Sequence, residues 1–286
     1  YAFFCPFCKH KNKKLNINFI TYRWHCWVCG VKGRSLFQIL KKLNVDKDYV
    51  KLLSELVQDK PLFSYDIKSE NVAISALPKE FKPLYEKSDS FFYKRALDYV
   101  LSRNITINDI FKYNIGYAES GKYDGMIIIP NYNKNGQINY FTTRNYNRVS
   151  DNKFKNPTAS KNVIGFELQV NWNLPVILTE SALDAIVIRR NGVPLYGKTL
   201  PESLKLQLIE NDTMDIYIAL DPDAFNDMID HAKYFINNGI NVYHVDIPTG
   251  MDPNQLGYEK MQILIENAKM LTSEYLWELK LKNRIN

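Results

Sequence analysis

All four cysteines of this 286-residue chain fall within its first 30 residues, as Cys5-Pro-Phe-Cys8 and Cys26-Trp-Val-Cys29 with seventeen residues between the pairs. Two residues between thiolates let both sulfurs of one knuckle reach the same ion. Two such knuckles complete the tetrahedral four-sulfur shell of a closed structural site. The spacing therefore predicts a zinc ribbon with Cys5, Cys8, Cys26 and Cys29 as ligands, over hairpin strands drawn from residues 15–20 and 22–24. Two disulfides are the alternative, disfavoured because nothing in the sequence points to an oxidising compartment. His10 and His25 are left over once four thiolates fill the shell. Trp24 and Trp27 lie beside Arg23, Lys32 and Arg34, a set suited to stacking on and pairing with single-stranded nucleic acid. The competing reading is that these aromatics only cover a small zinc core.

A chain of this length exceeds what one hydrophobic core usually serves, so two or three units are expected. Hydrophobic residues at 45% and charged ones at 24% exclude a largely disordered chain and a disulfide mini-protein. No run approaches the ~20 apolar residues of a spanning helix, and the first segment lacks the basic-then-apolar order of a signal peptide, so a cytoplasmic protein is expected. Thirty-seven Lys and Arg against thirty-one Asp and Glu give +6, which favours a polyanionic partner.

Beyond the ribbon, Ser35 with Gln38 forms a capping-box pattern ahead of Leu36, Ile39, Leu40 and Leu43 at helical spacing. Residues 58–85, with Pro61, Pro78 and Pro83, have no sustained period and read as a linker. A helix over 91–101 and a second one capped by Thr106 with Asp109 follow. Apolar runs at 126–130 and 137–141 flank Asn135-Gly136, a strong hairpin signal, and deliver Arg144, Arg148, Lys153 and Lys155 to one neighbourhood. These are candidates to hold nucleotide and template phosphate, or else a solvated basic face. From residue 172 onward apolar runs alternate with helical patterns, a parallel α/β rhythm.

The carboxylates follow that rhythm. Glu180 closes the first strand of the α/β stretch and Asp184 lies four residues on. Asp221 and Asp223 end the third strand, and Asp246 and Asp252 follow the fourth. In a parallel sheet the C-terminal strand ends share one rim, where acids from separate strands can hold hard Mg2+ or Mn2+ ions beside a phosphate. Any one such Asp can instead be a helix cap. Gly192-Val-Pro-Leu-Tyr-Gly197-Lys198-Thr199 formally matches a phosphate-binding loop, but an apolar strand falls inside it where a strand should precede it. Lys198 alone is kept as a phosphate contact.

Three stretches resemble the DnaG-type replicative primases of bacteria and phages. They are Cys-Pro-Phe-Cys with Trp24-His-Cys-Trp-Val-Cys-Gly30; residues 91–97, 113–117, 128–130 and 141–144; and Glu180-Ser-Ala-Leu-Asp184-Ala with Asp221-Pro-Asp223 and Asp252-Pro253. The resemblance implies a multidomain α/β chain. Its parts are a zinc ribbon with following helices (1–57), a linker (58–85), the N-terminal α+β part of an RNA polymerase core (86–171), a TOPRIM α/β domain with a mainly parallel sheet (172–256) and a C-terminal helical segment (257–286). It implies synthesis of short RNA primers on single-stranded DNA from ribonucleoside triphosphates, with Zn2+ structural and Mg2+ or Mn2+ catalytic.

By the same match, Glu180, Asp184, Asp221 and Asp223 are catalytic, and Glu180, Asp221, Asp223 and Asp252 ligate metal. Arg144, Lys153, Lys155, Lys198, Arg23, Arg34 and Trp24 contact nucleotide, template or the RNA primer–DNA hybrid. A replicative helicase is the implied protein partner, with Leu271, Tyr275, Leu276 and Leu279 as a docking stripe, unless that stripe covers its own core. Two positions depart from the family pattern: Ser181 replaces a usual Gly, and Asn254 a common Asp. A TOPRIM nuclease or topoisomerase-like enzyme, and a noncatalytic zinc and TOPRIM recombination mediator, are the alternatives.

Overall fold

The computed structural model describes residues 1–19, 22–46, 48–50, 52–53, 76–147 and 152–285. The first unit is a four-stranded antiparallel ribbon in sequential order: β1 (Ala2–Phe3), β2 (Leu15–Ile17), β3 (Trp24–Cys26) and β4 (Lys32–Gly33). Alternation sorts its side chains. Leu15, Ile17, Trp24 and Cys26 face inward, while Asn16 between them is exposed. Gly33 lies against the Trp24 ring, where an added Cβ would sit 2.5 Å from ring carbons, so no side chain fits there.

Helix α1 (Leu36–Lys42) follows, with the Ser35 hydroxyl accepting from the Phe37 N–H at 3.2 Å. The capping box departs from expectation, because the Gln38 carboxamide accepts from the Arg34 N–H at 2.7 Å instead of returning to Ser35. Leu36 joins the ribbon core. Phe37 turns the other way and packs with Leu206, Ile209 and Tyr234 of the third unit.

The second unit comprises β5 (Lys82–Pro83), α2 (Phe91–Ser102), α3 (Ile107–Lys112), β6 (Gly116–Tyr117), β7 (Met126–Tyr132) and β8 (Ile138–Asn145), with sheet order β5-β6-β7-β8, all antiparallel. The Thr106–Asp109 capping box forms in full. The linker expectation needs correcting at its C-terminal end: Lys82 and Pro83 pair with β6, and Leu84 is buried. A two-residue strand is too short to show alternation, and its Pro83 sits on an edge strand, where a missing N–H costs little. Residues 58–75 of the expected linker lie outside the described residues.

The third unit runs β9 (Val176–Thr179), α4 (Ala182–Ile188), β10 (Gly192–Pro194), α5 (Glu202–Glu210), β11 (Asp215–Ala219), α6 (Phe225–Asn237), β12 (Asn241–His244), α7 (Pro253–Glu266), β13 (Lys269–Met270) and α8 (Ser273–Ile285). Sheet order is β10-β9-β11-β12-β13, parallel except for β13. Gly192 belongs to β10 and lies against α4, where a Cβ would meet the Ala185 carbonyl at 2.6 Å. It is a close-packing glycine, not part of a phosphate loop.

The expected boundary at residue 257 coincides with a break at Gly257, where non-helical backbone separates the first turn of α7 from the rest, but β13 extends the sheet, so residues 257–286 are joined to the third unit. Leu271 is buried, and Tyr275, Leu276 and Leu279 pack on the same core. That stripe is covered by its own domain. Helix α4 is buried along its whole length and shares one apolar cluster with Tyr93, Ile105, Ile115 and Tyr140 of the second unit. At roughly 1.5–3 kcal/mol for each large apolar side chain buried, this shared core fuses the second and third units. Among the described residues no helix is long and apolar enough to cross a membrane.

Candidate metal centres and nucleic-acid surface

The four ribbon cysteines are free thiols whose Sγ atoms all lie within 4.8 Å of one another. Cys5 and Cys29 are 3.8 Å apart, as are Cys8 and Cys26. Four sulfurs at about 2.3 Å from a zinc ion form a tetrahedron with edges of about 3.8 Å, so the residues fit Zn2+ and not a pair of disulfides. The crowded thiols titrate together: the Cys29 backbone N–H, the largest influence, lowers the Cys26 thiol to about 6, while, against the Val31 backbone N–H, burial and the neighbouring sulfurs raise Cys29 to about 12, as expected of sulfurs gathered onto one site. The two spare histidines stand apart from the cluster: His10 bonds locally with Asn12, and His25 packs edge-on against Trp27 at 4.5 Å.

Trp24 corrects the sequence expectation. It is 2% exposed, stacks against Phe7 and donates its Nε1–H to the Ser35 carbonyl at 2.8 Å. It is a core residue, unable to stack on a base. Its parity with Cys26 on a short strand carried that signal. Trp27, 67% exposed, is the ribbon tryptophan open to solvent. Arg23, Lys32, Arg34 and Lys42 line a cleft of about 1300 Å³ between the ribbon and Met214 and Asn241 of the third unit, a basic surface fitted to a polyanion.

At the C-terminal ends of β9 and β11, Glu180, Asp221 and Asp223 bring one carboxylate oxygen each within 4.8 Å of the others. The parallel register that pairs Thr179 with Ala219 sets this convergence. Burial, reinforced by Asp223 and Asp184, raises the Glu180 carboxyl, while Lys198 opposes the rise. Burial and then Glu180 push Asp221 up to about 6. Glu180 Oε2 and Asp221 Oδ1 are buried without a hydrogen-bond partner, a costly arrangement for acids unless a cation is bound. The all-oxygen donor set fits a hard divalent ion. Lys198 Nζ lies 3.0 Å from Asp223 Oδ2.

Asp184 and Asp252 are not brought into this triple. Asp184 is 3% exposed, accepts from the Ser181 hydroxyl at 2.5 Å and from the Asn254 N–H at 3.0 Å, and is pushed up to about 7, chiefly by burial. Ser181 caps α4, which gives this departure from glycine a local role. Asp252 caps α7 through the Gln255 N–H at 2.6 Å and pairs with Arg103 at 3.5 Å. Asn254 is fully buried and donates its side-chain amide to the Arg103 carbonyl, while its own carbonyl accepts from Asn104 at 2.8 Å. Sequence reasoning noted Asn254 only as a departure and missed Arg103 and Asn104, which carry no motif.

Arg144, on β8, donates Nε–H to the Tyr99 hydroxyl at 3.2 Å and lies over the Phe154 ring at 4.7 Å, which fixes its guanidinium. Lys153 and Lys155 are exposed nearby, their backbones tied to Asn145 and Thr143. Arg148 lies outside the described residues.

No family model matches the chain. It is 20% identical over 302 residues to a DNA primase of Legionella pneumophila, covering 88% of this chain and 52% of that protein. It is 21% identical over 340 residues to a DNA primase of Staphylococcus aureus, covering 96% and 56%. The chain thus spans about half the length of the curated relatives it matches.

Among solved structures, the zinc-binding and RNA polymerase domains of the Aquifex aeolicus primase superpose with a TM-score of 0.53 at 19% identity, covering 95% of this chain and 79% of that one. A DNA primase domain from Pseudomonas aeruginosa gives 0.59 at 18%, covering 71% and 80%. A DnaG primase catalytic domain bound to single-stranded DNA gives 0.53 at 16%, covering 64% and 76%. The chain resembles DnaG-type primases over nearly its whole length and has the fold of their zinc-binding and polymerase domains.

Proposed function

We propose that this protein is a DNA primase, a DNA-dependent RNA polymerase that joins ribonucleoside triphosphates into short primers on single-stranded DNA. The observation that carries the reading is the meeting of Glu180, Asp221 and Asp223 from separate strand ends beside Lys198, with buried acid oxygens left unpartnered. When bound there, Mg2+ or Mn2+ supplies charge neutralisation at the reacting phosphates and lowers the pKa of the attacking hydroxyl. Glu180, Asp221 and Asp223 are the residues that would hold it.

The protein's own groups supply the rest. Arg144, locked by Tyr99 and Phe154, meets phosphate with its orientation already set, and Lys153 and Lys155 add positive charge along the same face. The ribbon, with Zn2+ on its four cysteines, presents Trp27, Arg23 and Arg34 to the template. Asp184 and Asp252 act as positioning residues, the first buttressing the turn after Glu180 and the second the start of α7. By resemblance we assign a replicative helicase as partner, docking elsewhere than the covered α8 stripe, and a place in the bacterial cytoplasm or that of a phage host.

The test incubates the protein with single-stranded DNA, the four ribonucleotides and Mg2+ or Mn2+. Short RNA products are expected, and Asp221→Asn or Asp223→Asn abolishes them while template binding persists. DNA cleavage without RNA synthesis favours the TOPRIM nuclease, and binding with neither favours the mediator.

A further inference from the structure

We propose that the Lys198 ammonium takes the place of a second divalent cation at the acidic centre, so that Glu180, Asp221 and Asp223 hold a single ion. The inference rests on the metal-dependent reading above and specifies the number of ions that site accepts.

Lys198 is the lysine of the sequence motif that mimics a phosphate loop, and the fold gives it a different setting. Its Nζ is 3.0 Å from Asp223 Oδ2. The backbone beneath it is held from three sides: Gly197 N–H donates to the Glu180 carbonyl at 3.1 Å, Lys161 Nζ to the Tyr196 carbonyl at 3.0 Å, and His231 Nε2–H to the Lys198 carbonyl at 2.8 Å. Tyr196 and Gly197 both take positive φ, +56° and +143°, a path that turns the chain out of β10 toward the acids. The fixed backbone keeps Lys198 beside the centre, where its ammonium opposes the rise of the Glu180 carboxyl, although its pair with Asp223 is open to solvent, at 40% and 75% exposure.

Charge and connectivity then limit the ion count. Three carboxylates and one ammonium leave two negative charges within the triple, the complement of one divalent ion, with Asp227 acting on Glu180 and Lys198 from outside it. Two of the further acids on this rim are already engaged. Asp184 is taken by Ser181 and the Asn254 N–H, and Asp252 by the Gln255 N–H and Arg103. Asn254 supplies a neutral amide whose N–H faces the Arg103 carbonyl. An ammonium keeps its charge without coordination geometry, and it can swing from Asp223 to a phosphate oxygen of bound nucleotide.

The experiment is calorimetric titration of the zinc-loaded full chain with Mn2+ at low ionic strength, without nucleotide or DNA. Wild type takes up one Mn2+, and Asp221→Asn loses it. Lys198→Met takes up two, the first bound about tenfold more tightly because the competing ammonium is gone, and Lys198→Arg again takes up one. The Lys198 side chain is 40% exposed, so these variants keep the core. Two ions in wild type, both lost in Asp221→Asn, overturn the inference and leave the primase reading intact. So does one ion of unchanged affinity in Lys198→Met. No Mn2+ uptake by wild type overturns both.

Discussion

The backbone N–H of Asn254 donates to Asp184 Oδ1 at 3.0 Å, a bond that joins the start of α7 to the helix following Glu180. With the Asn254 side chain on the Arg103 carbonyl, it ties the acidic rim to the turn between α2 and α3. Asn254→Ala removes the partner of that part-buried carbonyl and leaves a small void at a fully buried position, at a cost of about 1–3 kcal/mol. Thermal melting is expected to show a Tm several degrees lower, and Asn254→Gln, which is too long for the pocket, does not restore it.

The pH dependence of stability follows from Asp184. Its folded pKa, about 7, lies above the ordinary 3.8. The stabilisation from its protonated form is therefore complete below the unfolded value and is lost as pH rises through about 7. Asp184→Asn mimics the neutral state and keeps an oxygen for the Asn254 N–H. Melting curves between pH 5 and 8 should flatten in this variant, which is expected to exceed wild type in Tm at pH 8. A variant curve parallel to wild type contradicts the assignment.

Removal of zinc exposes the ribbon core. Treatment with a strong chelator, or Cys26→Ser, is expected to reduce zinc from one equivalent per chain to none. The buried Trp24 indole, stacked on Phe7, then meets water and its emission shifts to the red, because a ribbon this small depends on its metal for folding energy.

The two ribbon tryptophans separate structure from recognition. Trp24→Ala removes a buried ring, costs about 3–5 kcal/mol, and should abolish zinc retention. Trp27→Ala keeps the zinc and weakens single-stranded DNA binding by about 1–3 kcal/mol, read by fluorescence anisotropy. Equal loss of zinc in both variants contradicts the division.

Several features were legible because local chemistry specifies them. The cysteine spacing announced the tetrahedral site, Thr106 with Asp109 announced a helix start, and apolar runs ending in Glu180 and Asp221 announced strand ends on one rim. What escaped depends on contacts distant in sequence. Asp184 lies four residues after Glu180, which suggests a shared face, yet α4 is buried on all sides and its acid turns to Asn254, seventy residues away. The linker boundary failed because β5 is only two residues long and acquires its partner from β6. The boundary at residue 257 coincides with a break in the helical backbone at Gly257, with φ of +79°, but the chain beyond it returns to the same sheet through β13, a pairing no local signal announces. His231, which steadies Lys198 through a carbonyl, sits within an ordinary amphipathic helix.

The ribbon meets the third unit at Gly239 and Asp212, just ahead of β12 and β11, whereas Glu180 and Asp221 stand just past β9 and β11. The contact with the ribbon segment and the acidic rim thus stand at opposite ends of β11, five residues or about 16 Å apart along the strand. A mononucleotide is too short to reach from one end to the other. In this arrangement only a polymer can lie along both, and the length of β11 acts as a ruler for how much strand it must contain.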